Sequence, residues 1–435
     1  MVTGRAWRLL PPDAAADARW LIAARGFRAF GDGLVSVLLP TYLLDRGFDV
    51  FTVGLLSTLT LLGSAGLTLG VGAVTNRLGH RPLLLASCGL MAATGVGFAT
   101  LESFWPLAVV AFVGTLNPSA GDVSLFLPLE QSLLTQTVSP RQRTALFARY
   151  SLVGTLAGAL GTLSAGLPTL ISGAQALPLR GVLDAVFLVY AALASLALLC
   201  YRRLSVGRTP STGARAAPLG DSRGIVVRLA AVFSLDAFGG GFFVQSLLVV
   251  WLHQRFDVSV SAIGAILFVA NSLSAVSFLV AVPLSRRFGL INTMVFTHLP
   301  SNLLLLLVPF APTLGLAVGL LLARYALSQM DVPTRTSYVM AVVAPEARAA
   351  AASVTAVPRS LATAVSPMLA GYLLTRSAFG WPLLIGGLLK ALYDVLLLLN
   401  FRSLPPPEER EIRAPAASQP SQAPLDARPP AGESG

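Results

Sequence analysis

The sequence predicts an all-α integral membrane protein whose twelve transmembrane helices form two pseudo-symmetric six-helix bundles. Composition, segment length and an internal repeat lead to this prediction. Apolar residue types make up 54% of the 435 residues and only 12% are charged, whereas soluble domains carry roughly 25% charged residues. The apolar residues also fall in segments close to the ~20 residues that a helix needs to cross ~30 Å of hydrocarbon.

Twelve segments are long and apolar enough to be spans, six on either side of a basic stretch rich in Gly, Pro and Ser. The predicted spans are 20–44, 52–75, 82–101, 104–138, 143–170, 182–201, 225–252, 260–284, 290–310, 314–343, 349–375 and 381–400. The predicted domains are a cytoplasmic N-terminal segment 1–19, an N-terminal bundle 20–201, a cytoplasmic linker 202–224, a C-terminal bundle 225–402 and a cytoplasmic tail 403–435. The tail is rich in Pro, Ala and Ser, which is typical of disorder.

The net charge of +11 is distributed unevenly along the chain. Twenty arginines lie outside the spans in the two termini and in every second loop, and the alternate loops hold four. Because basic loops stay in the cytoplasm, we expect both termini there. The basicity therefore indicates membrane topology and not nucleic-acid binding. Thirty arginines against a single lysine favour a GC-rich bacterial genome, so we expect a bacterial cytoplasmic (inner) membrane.

An internal repeat relates the two predicted bundles. The chain reads RAFGDG at 28–33 and DAFGGG at 236–241, and residues 29–50 align with 237–258 without a gap. After a two-residue shift the match continues, and further along it holds at an offset of 205. Matched pairs of this kind include Gly54 with Gly264, Gly79 with Gly289, and Pro128 with Pro333. An even number of spans per copy gives a parallel repeat, and carriers built this way bind substrate near the midplane between the copies.

The loop between the second and third spans, GAVTNRLGHRPLLL at 72–85, resembles the signature of the major facilitator superfamily. The positions that match this signature are Gly72, Arg77, Gly79 and Arg81, and Asn76 replaces its acidic residue. The resemblance implies that this loop braces a cytoplasmic gate, with Asn76 as a hydrogen-bonding group in place of an ion pair. The drug antiporters of the family carry a Gly-Pro pair in the fifth span, where this chain has Gly158-Ala159.

Ionisable residues inside the spans are the candidate functional residues, because buried charge is costly and needs a partner. Arg28 and Glu130 each lie eight residues from the cytoplasmic end of a span, which is ~12 Å at 1.5 Å per residue. Their repeat counterparts, Asp236 and Arg335, carry the opposite signs. We therefore predict Arg28–Glu130 and Asp236–Arg335 pairs facing a central cavity, with Asp331 as a competing partner on the same helix as Arg335. The alternative is that these charges only lock helices together.

The residue types suggest two roles for these charges. A carboxylate in a partly dry cavity can exchange a proton as access alternates, and the predicted proton carriers are Glu130, Asp32 and Asp122. Arginines can instead receive an anionic substrate, and the candidates are Arg28, Arg149 and Arg335. For His298, in the ninth span, a structural role is favoured.

The sequence contains no P-loop, no H-E-x-x-H, no Cys cluster and no G-x-S-x-G in a strand–turn–helix context, so we expect neither an enzyme nor a metal or cofactor. The expected function is secondary active transport by alternating access, as proton-coupled efflux of a drug-like compound or metabolite. Uptake or exchange of a small organic anion is one alternative, and a transport-inactive receptor or scaffold is another. The expected partners are a small-molecule substrate, protons and the bilayer, with no nucleic acid and a monomeric chain.

Overall fold

The computed structural model describes residues 15–119, 125–139, 142–205, 220–343, 347–402 and 404. Within these ranges the regular structure is helical. The helices are α1 Ala16–Asp45, α2 Val50–Leu78, α3 His80–Thr100, α4 Phe104–Val113, α5 Phe126–Leu134, α6 Arg143–Ser164, α7 Leu167–Gln175, α8 Leu179–Arg202, α9 Arg223–Gly241, α10 Gln245–Phe256, α11 Val260–Phe288, α12 Leu290–Leu307, α13 Leu314–Ser328, α14 Asp331–Val342, α15 Arg348–Arg376 and α16 Trp381–Phe401.

Nine helical segments of the described chain are long and apolar enough to cross a membrane. They are Ala16–Asp45, Val50–Val71, His80–Thr100, Leu146–Gln175, Leu179–Arg202, Arg223–Phe256, Val260–Ser285, Leu290–Phe310 and Trp381–Phe401. Two predicted spans, 104–138 and 314–343, are divided into the shorter helices α4 and α5, and α13 and α14. Helix α15 has the length of a span but contains two prolines and is less apolar. With these three regions the architecture is consistent with twelve crossings.

The helices of α1–α8, the N half, recur in α9–α16, the C half. Helices α2 and α3 begin 210 positions before α11 and α12, while α5 and α6 begin 205 positions before α14 and α15. These spacings equal the offsets at which the sequence repeats. One difference is that α1 continues as a single helix, whereas its counterpart is interrupted at 242–244 between α9 and α10.

Helix capping explains the two-residue shift in the repeat. Asp49 caps α2, and its carboxylate accepts the Thr52 backbone N–H at 2.9 Å. The aligned Asp257 instead takes a left-handed backbone with φ of 51° at the end of α10, and Ser259 caps α11 two residues later. Further along, Gly79 and Gly289 turn the chain with φ of 79° and 85°, a region that glycine enters without strain.

Small residues bring the helices of the N half together. A Cβ on Gly33 would overlap the carbonyl of Gly158, and one on Gly161 would overlap the carbonyl of Phe30. The glycines of α6 therefore let α1 and α6 approach at backbone distance, as small residues do between membrane helices.

The two halves contact each other at the helix ends far from the chain termini. A Cβ on Gly54 of α2 would overlap the carbonyl of Pro367 of α15, and one on Gly264 of α11 would overlap the carbonyl of Thr162 of α6. The Pro367–Gly371 segment is further tied to α2 because the Met368 backbone N–H donates to Thr58 Oγ1 at 2.9 Å. This side of the molecule is closed.

On the side of the termini the same long helices diverge. A Cβ added to Gly66 or Gly70 of α2 would meet no atom within 4 Å, and Pro358 and Arg359 of α15 are exposed. The halves therefore enclose a cleft that is open toward the termini and ends at the closed contact.

Candidate functional site

The charged pair of the N half lies inside that half. Arg28 of α1 forms an ion pair with Glu130 of α5, and the two residues are 1% and 0% exposed. The hydroxyls of Tyr150 and Tyr201 each donate to the Glu130 carboxylate at 2.6 Å. The Arg28 guanidinium lies 4.0 Å from the centroid of the Phe126 ring. The charges are thus fully enclosed by side chains of α1, α5, α6 and α8.

This arrangement corrects one expectation. The predicted pairing of Arg28 with Glu130 is present, but the pair does not face the cleft between the halves. Tyr150 and Tyr201 cover the carboxylate and Phe126 covers the guanidinium, so the pair is enclosed within the bundle. The Glu130 carboxylate already accepts from one arginine and two hydroxyls.

The corresponding pair of the C half belongs to a larger group. Arg335 of α14 lies 3.0 Å from Asp236 of α9 and also contacts Asp331 one turn earlier on its own helix. Asp236 therefore has the predicted partner, and Asp331 shares it. The other oxygen of Asp236 contacts Lys390 of α16. All four side chains are buried.

His298 of α12 and Asp394 of α16 extend this group. His298 Nδ1 lies 2.9 Å from Asp394 Oδ1, and Nε2 lies 3.8 Å from Asp236 Oδ1. The imidazole therefore bridges two carboxylates. Asn302 also donates to Asp394, at 2.8 Å. We call the set of ionisable residues the C-half cluster; its members are Asp236, His298, Asp331, Arg335, Lys390 and Asp394.

Sequence reasoning missed two members of this cluster and assigned a third to structure. Lys390 and Asp394 are an oppositely charged pair four residues apart inside the last predicted span, 381–400. Lys390 is also the single lysine of the chain. An ionisable pair in an otherwise apolar span is the signal that could have identified them. His298, given a structural role, has a carboxylate near each of its nitrogens.

The remaining candidates are dispersed. Asp32 is buried and accepts from the Tyr190 hydroxyl at 3.3 Å. Arg149 is half-buried, and one terminal nitrogen of its guanidinium has no hydrogen-bond partner among the described residues. Asp122 lies outside the described residues.

The loop between α2 and α3 is tied to its own half of the molecule by hydrogen bonds. Arg81 donates to the carbonyls of Tyr201 at 3.2 Å and Arg202 at 2.6 Å, which fastens the start of α3 to the end of α8. Arg77 is exposed. Gly79 makes the turn described above, and Gly72 lies within α2; the Asn76 side chain lies outside what the structure describes.

Comparison with known proteins agrees with this architecture. The family profile of the Major Facilitator Superfamily matches residues 21–329 and again residues 229–430, so the second match begins near the start of the C half. The chain belongs to the Major Facilitator Superfamily. Membership places it among membrane transporters.

Three similar proteins illustrate the range of the resemblance. The uncharacterized membrane protein YJR124C of Saccharomyces cerevisiae is 24% identical over 424 residues, which covers 89% of this chain and 94% of the yeast protein. An inward-facing, occupied structure of a bacterial homologue of the human lysosomal transporter Spinster superposes with a TM-score of 0.68 at 14% identity, covering 88% and 96% of the two chains. The human organic anion transporter MFSD10 superposes with a TM-score of 0.61 at 19% identity, covering 89% and 100%.

Proposed function

We propose that the chain is a secondary active transporter that works by alternating access and is coupled to protons through the C-half cluster. The observation that carries the proposal is the charge balance of this cluster. The cluster holds three carboxylates, Asp236, Asp331 and Asp394, and two cationic side chains, Arg335 and Lys390. One proton restores neutrality, and a buried site strongly favours neutrality because uncompensated charge is costly there.

The geometry supports a position for that proton. Asp236 and Asp331 each contact a cationic side chain, whereas the partners of Asp394 among the described residues are His298 and Asn302. His298 and Asp394 therefore form the pair on which the proton resides in this proposal. The imidazole can pass it between Asp394 and Asp236, since its two nitrogens face these two carboxylates.

Other charged groups surround the cluster without contacting it. Arg359 of α15 is exposed in the cleft and near enough to Arg335 for repulsion, and Arg324 of α13 acts on Asp236 and Asp331 at longer range. Water screens the charge of an exposed arginine. The hydroxyl of Tyr393, beside the Arg335 guanidinium, has no hydrogen-bond partner among the described residues. The direct contacts of the cluster are therefore made by its own members, and Arg324 adds a weaker influence from outside it.

Reconstitution in proteoliposomes tests the coupling. A panel of fluorescent substrates, ethidium as a cation and carboxyfluorescein as an anion, is offered with and without an imposed pH gradient. We expect flux of at least one probe to depend on the gradient, and the dependence to be lost in His298→Asn and Asp394→Asn. Asp184→Asn is the matched control, since Asp184 pairs with Arg46 at 2.6 Å outside the cluster.

Two results would overturn this function. If flux in the unaltered protein does not depend on the pH gradient, the protein is not coupled to protons. Flux of no probe, in protein that is folded and correctly inserted, favours the receptor or scaffold alternative. The sequence predicts efflux. The direction of the pH gradient that drives flux in the same vesicles tests this prediction.

We further propose that both termini are cytoplasmic and that the membrane is the inner membrane of a bacterium. The arginine distribution supports the orientation. The yeast relative spans nearly the whole chain, so the fold is compatible with a eukaryotic membrane as well. A C-terminal green fluorescent protein fusion should fluoresce and a C-terminal alkaline phosphatase fusion should be inactive; the opposite pattern contradicts the orientation.

A further inference from the structure

We propose that Arg324 of α13 binds the negatively charged group of an organic-anion substrate at the closed end of the cleft. This proposal rests on the transport function above and names the substrate class. It favours the second expectation from sequence, a small organic anion, and it places the binding group at a residue that sequence reasoning did not select.

Arg324 is buried without a counter-charge. It is 6% exposed, and its Nε has no hydrogen-bond partner in the part of the chain that the structure describes. Its guanidinium contacts no carboxylate among the described residues, whereas Arg28 and Arg335 both form ion pairs. Removing a lone cation from water costs several kcal/mol, so a binding anion would supply the charge that the protein leaves out.

Two aromatic rings flank the guanidinium. Its central carbon lies 4.8 Å from the centroid of Phe243 and 5.0 Å from that of Tyr325. These rings stabilise a cation in a dry site, and they offer apolar surface to a ligand that carries a hydrophobic body. The planar fork of arginine matches a carboxylate or sulfonate with two parallel hydrogen bonds.

Polar side chains connect this position to the seam between the halves. Gln245, two residues after Phe243, donates to Ser36 Oγ of the N half at 2.7 Å. Asn271 of α11 donates to Gln245 at 3.4 Å, and Ser274 of the same helix donates to the Tyr325 carbonyl at 3.3 Å. Arg324 is thus next to a polar network that crosses from one half to the other.

The depth of this network fits a substrate site. Asn271 lies seven residues along α11 from Gly264, which belongs to the closed contact; at 1.5 Å per residue the separation is ~10 Å. The network therefore lies just inside the closed end, toward the open side of the cleft. Substrate held there would be released to the opposite side when the closed contact opens.

A bound anion would also influence the C-half cluster. The Arg324 guanidinium and the carboxylates of Asp236 and Asp331 attract each other electrostatically without being in contact. Neutralising its charge removes a cation from their surroundings, which favours proton binding by the cluster. Anion and proton binding then promote each other, as linkage requires, and the two would move in the same direction.

Binding to the purified full-length protein in nanodiscs tests the site. The probes are 1-naphthoate, 1-naphthalenesulfonate and butyrate, with neutral 1-naphthamide as the isosteric control, measured by calorimetry and thermal shift. We expect at least one anion to bind and 1-naphthamide to bind at least tenfold more weakly than 1-naphthoate. Arg324→Gln should abolish this preference, and Arg324→Lys should keep part of it because the charge remains.

Arg359→Gln is the matched control, since it removes a cleft arginine that is exposed. It should change anion affinity less than threefold. Equal losses in both variants would reduce the effect to the general positive potential of the cleft and overturn the proposal. Unchanged anion binding in Arg324→Gln, or no binding of any anion by the unaltered protein at millimolar concentration, would also overturn it.

The stability of the ligand-free variants provides an independent measurement. Since Arg324 lacks a counter-charge, Arg324→Gln should unfold at a temperature equal to or above that of the unaltered protein; a marked decrease would mean that the guanidinium is already satisfied. Failure of the two proposals is distinguishable. Flux that does not depend on the pH gradient, with anion binding still dependent on Arg324, overturns the coupling alone. Gradient-dependent flux with unchanged anion binding in Arg324→Gln overturns only the Arg324 site.

Discussion

The repeat places a buried ion pair at the same position in both halves, but the side chains around the pair differ. In the N half, Arg28 and Glu130 form one ion pair that two tyrosine hydroxyls complete. In the C half, the signs are exchanged and Asp236 lies among two cations and a histidine that also contacts Asp394. A closed pair locks helices, whereas in the function proposed above a cluster with one more carboxylate than cations holds an exchangeable proton. Under that proposal, duplication supplied two copies of a buried pair, and one of them developed into a titratable group.

Neighbouring helices account for the difference. Tyr150 of α6 covers Glu130, but its counterpart at the 205 offset on α15 is Thr355, whose hydroxyl donates to its own helix at the Ala351 carbonyl. The C half thus lacks the hydroxyl that completes the N-half pair. Helix α16 provides Lys390 and Asp394 instead.

The largest expected effect comes from breaking the N-half pair. Arg28→Gln or Glu130→Gln alone leaves an uncompensated buried charge, which costs about 3–5 kcal/mol. The exchange of Arg28→Glu with Glu130→Arg gives the N half the charge order of the C half and should recover most of this loss. Thermal unfolding in detergent measures all variants. A double exchange no more stable than either single charge reversal would show that pairing is not what stabilises this site.

The next effect concerns the C-half cluster. Lys390→Met removes a cation, so by this charge count the folded cluster should bind two protons where the unaltered cluster binds one. Stability then rises as pH falls, by about 1.4 kcal/mol per pH unit for each additional proton. Unfolding temperatures between pH 6 and 8 should show a steeper slope than in the unaltered protein, and Lys390→Met with Asp236→Asn should restore it. Identical slopes would contradict the charge count.

A third comparison tests the contact between the halves. Gly54→Val places a side chain against the carbonyl of Pro367, whereas Gly66→Val on the same helix enters open space. We expect the first variant to disfavour the state that is open toward the termini and to lower flux about tenfold, because each 1.4 kcal/mol in a conformational equilibrium is a factor of ten. Spin labels at Gly70 and Ala356 should report a shorter distance across the cleft in Gly54→Val only. Equal behaviour of both variants would contradict the closed contact.

The smallest effect lies at the helix cap that distinguishes the two aligned Phe-Asp-Val sequences, at 48–50 and 256–258. Hydrogen bonds from the Thr52 backbone and hydroxyl hold the pKa of Asp49 below its usual value. The ionised cap stabilises above the unfolded pKa, and the contribution disappears as pH falls through the lowered folded value. Asp49→Ala should cost about 1 kcal/mol at pH 7 and almost nothing near pH 2. Asp257→Ala, at the aligned position, removes no cap.

Much of the fold could be predicted because its causes are local. Apolar segments of span length identify membrane helices. The two-residue shift of the repeat, which follows the aligned residues 49 and 257, coincides with the change of N-cap from Asp49 in α2 to Ser259 in α11. The sequence did not reveal that the predicted spans 104–138 and 314–343 are each divided into two helices, because hydropathy measures the mean apolarity of a segment and does not register where a helix stops. Helix α13 ends at Ser328 and α14 begins at Asp331 within a continuous apolar region.

The sequence by itself determined the membrane environment, the two copies, and the exchanged signs at positions 28 and 236 and at 130 and 335. Tertiary structure alone decided which charges are satisfied. Tyr201 lies 173 positions from Arg28, and Asp394 lies 96 from His298. The physical reason is that helical periodicity fixes the face on which a side chain lies, while the identity of the facing helix depends on how all the helices pack. For the same reason the sequence alone did not reveal that Arg324 is buried without a carboxylate partner among the described residues.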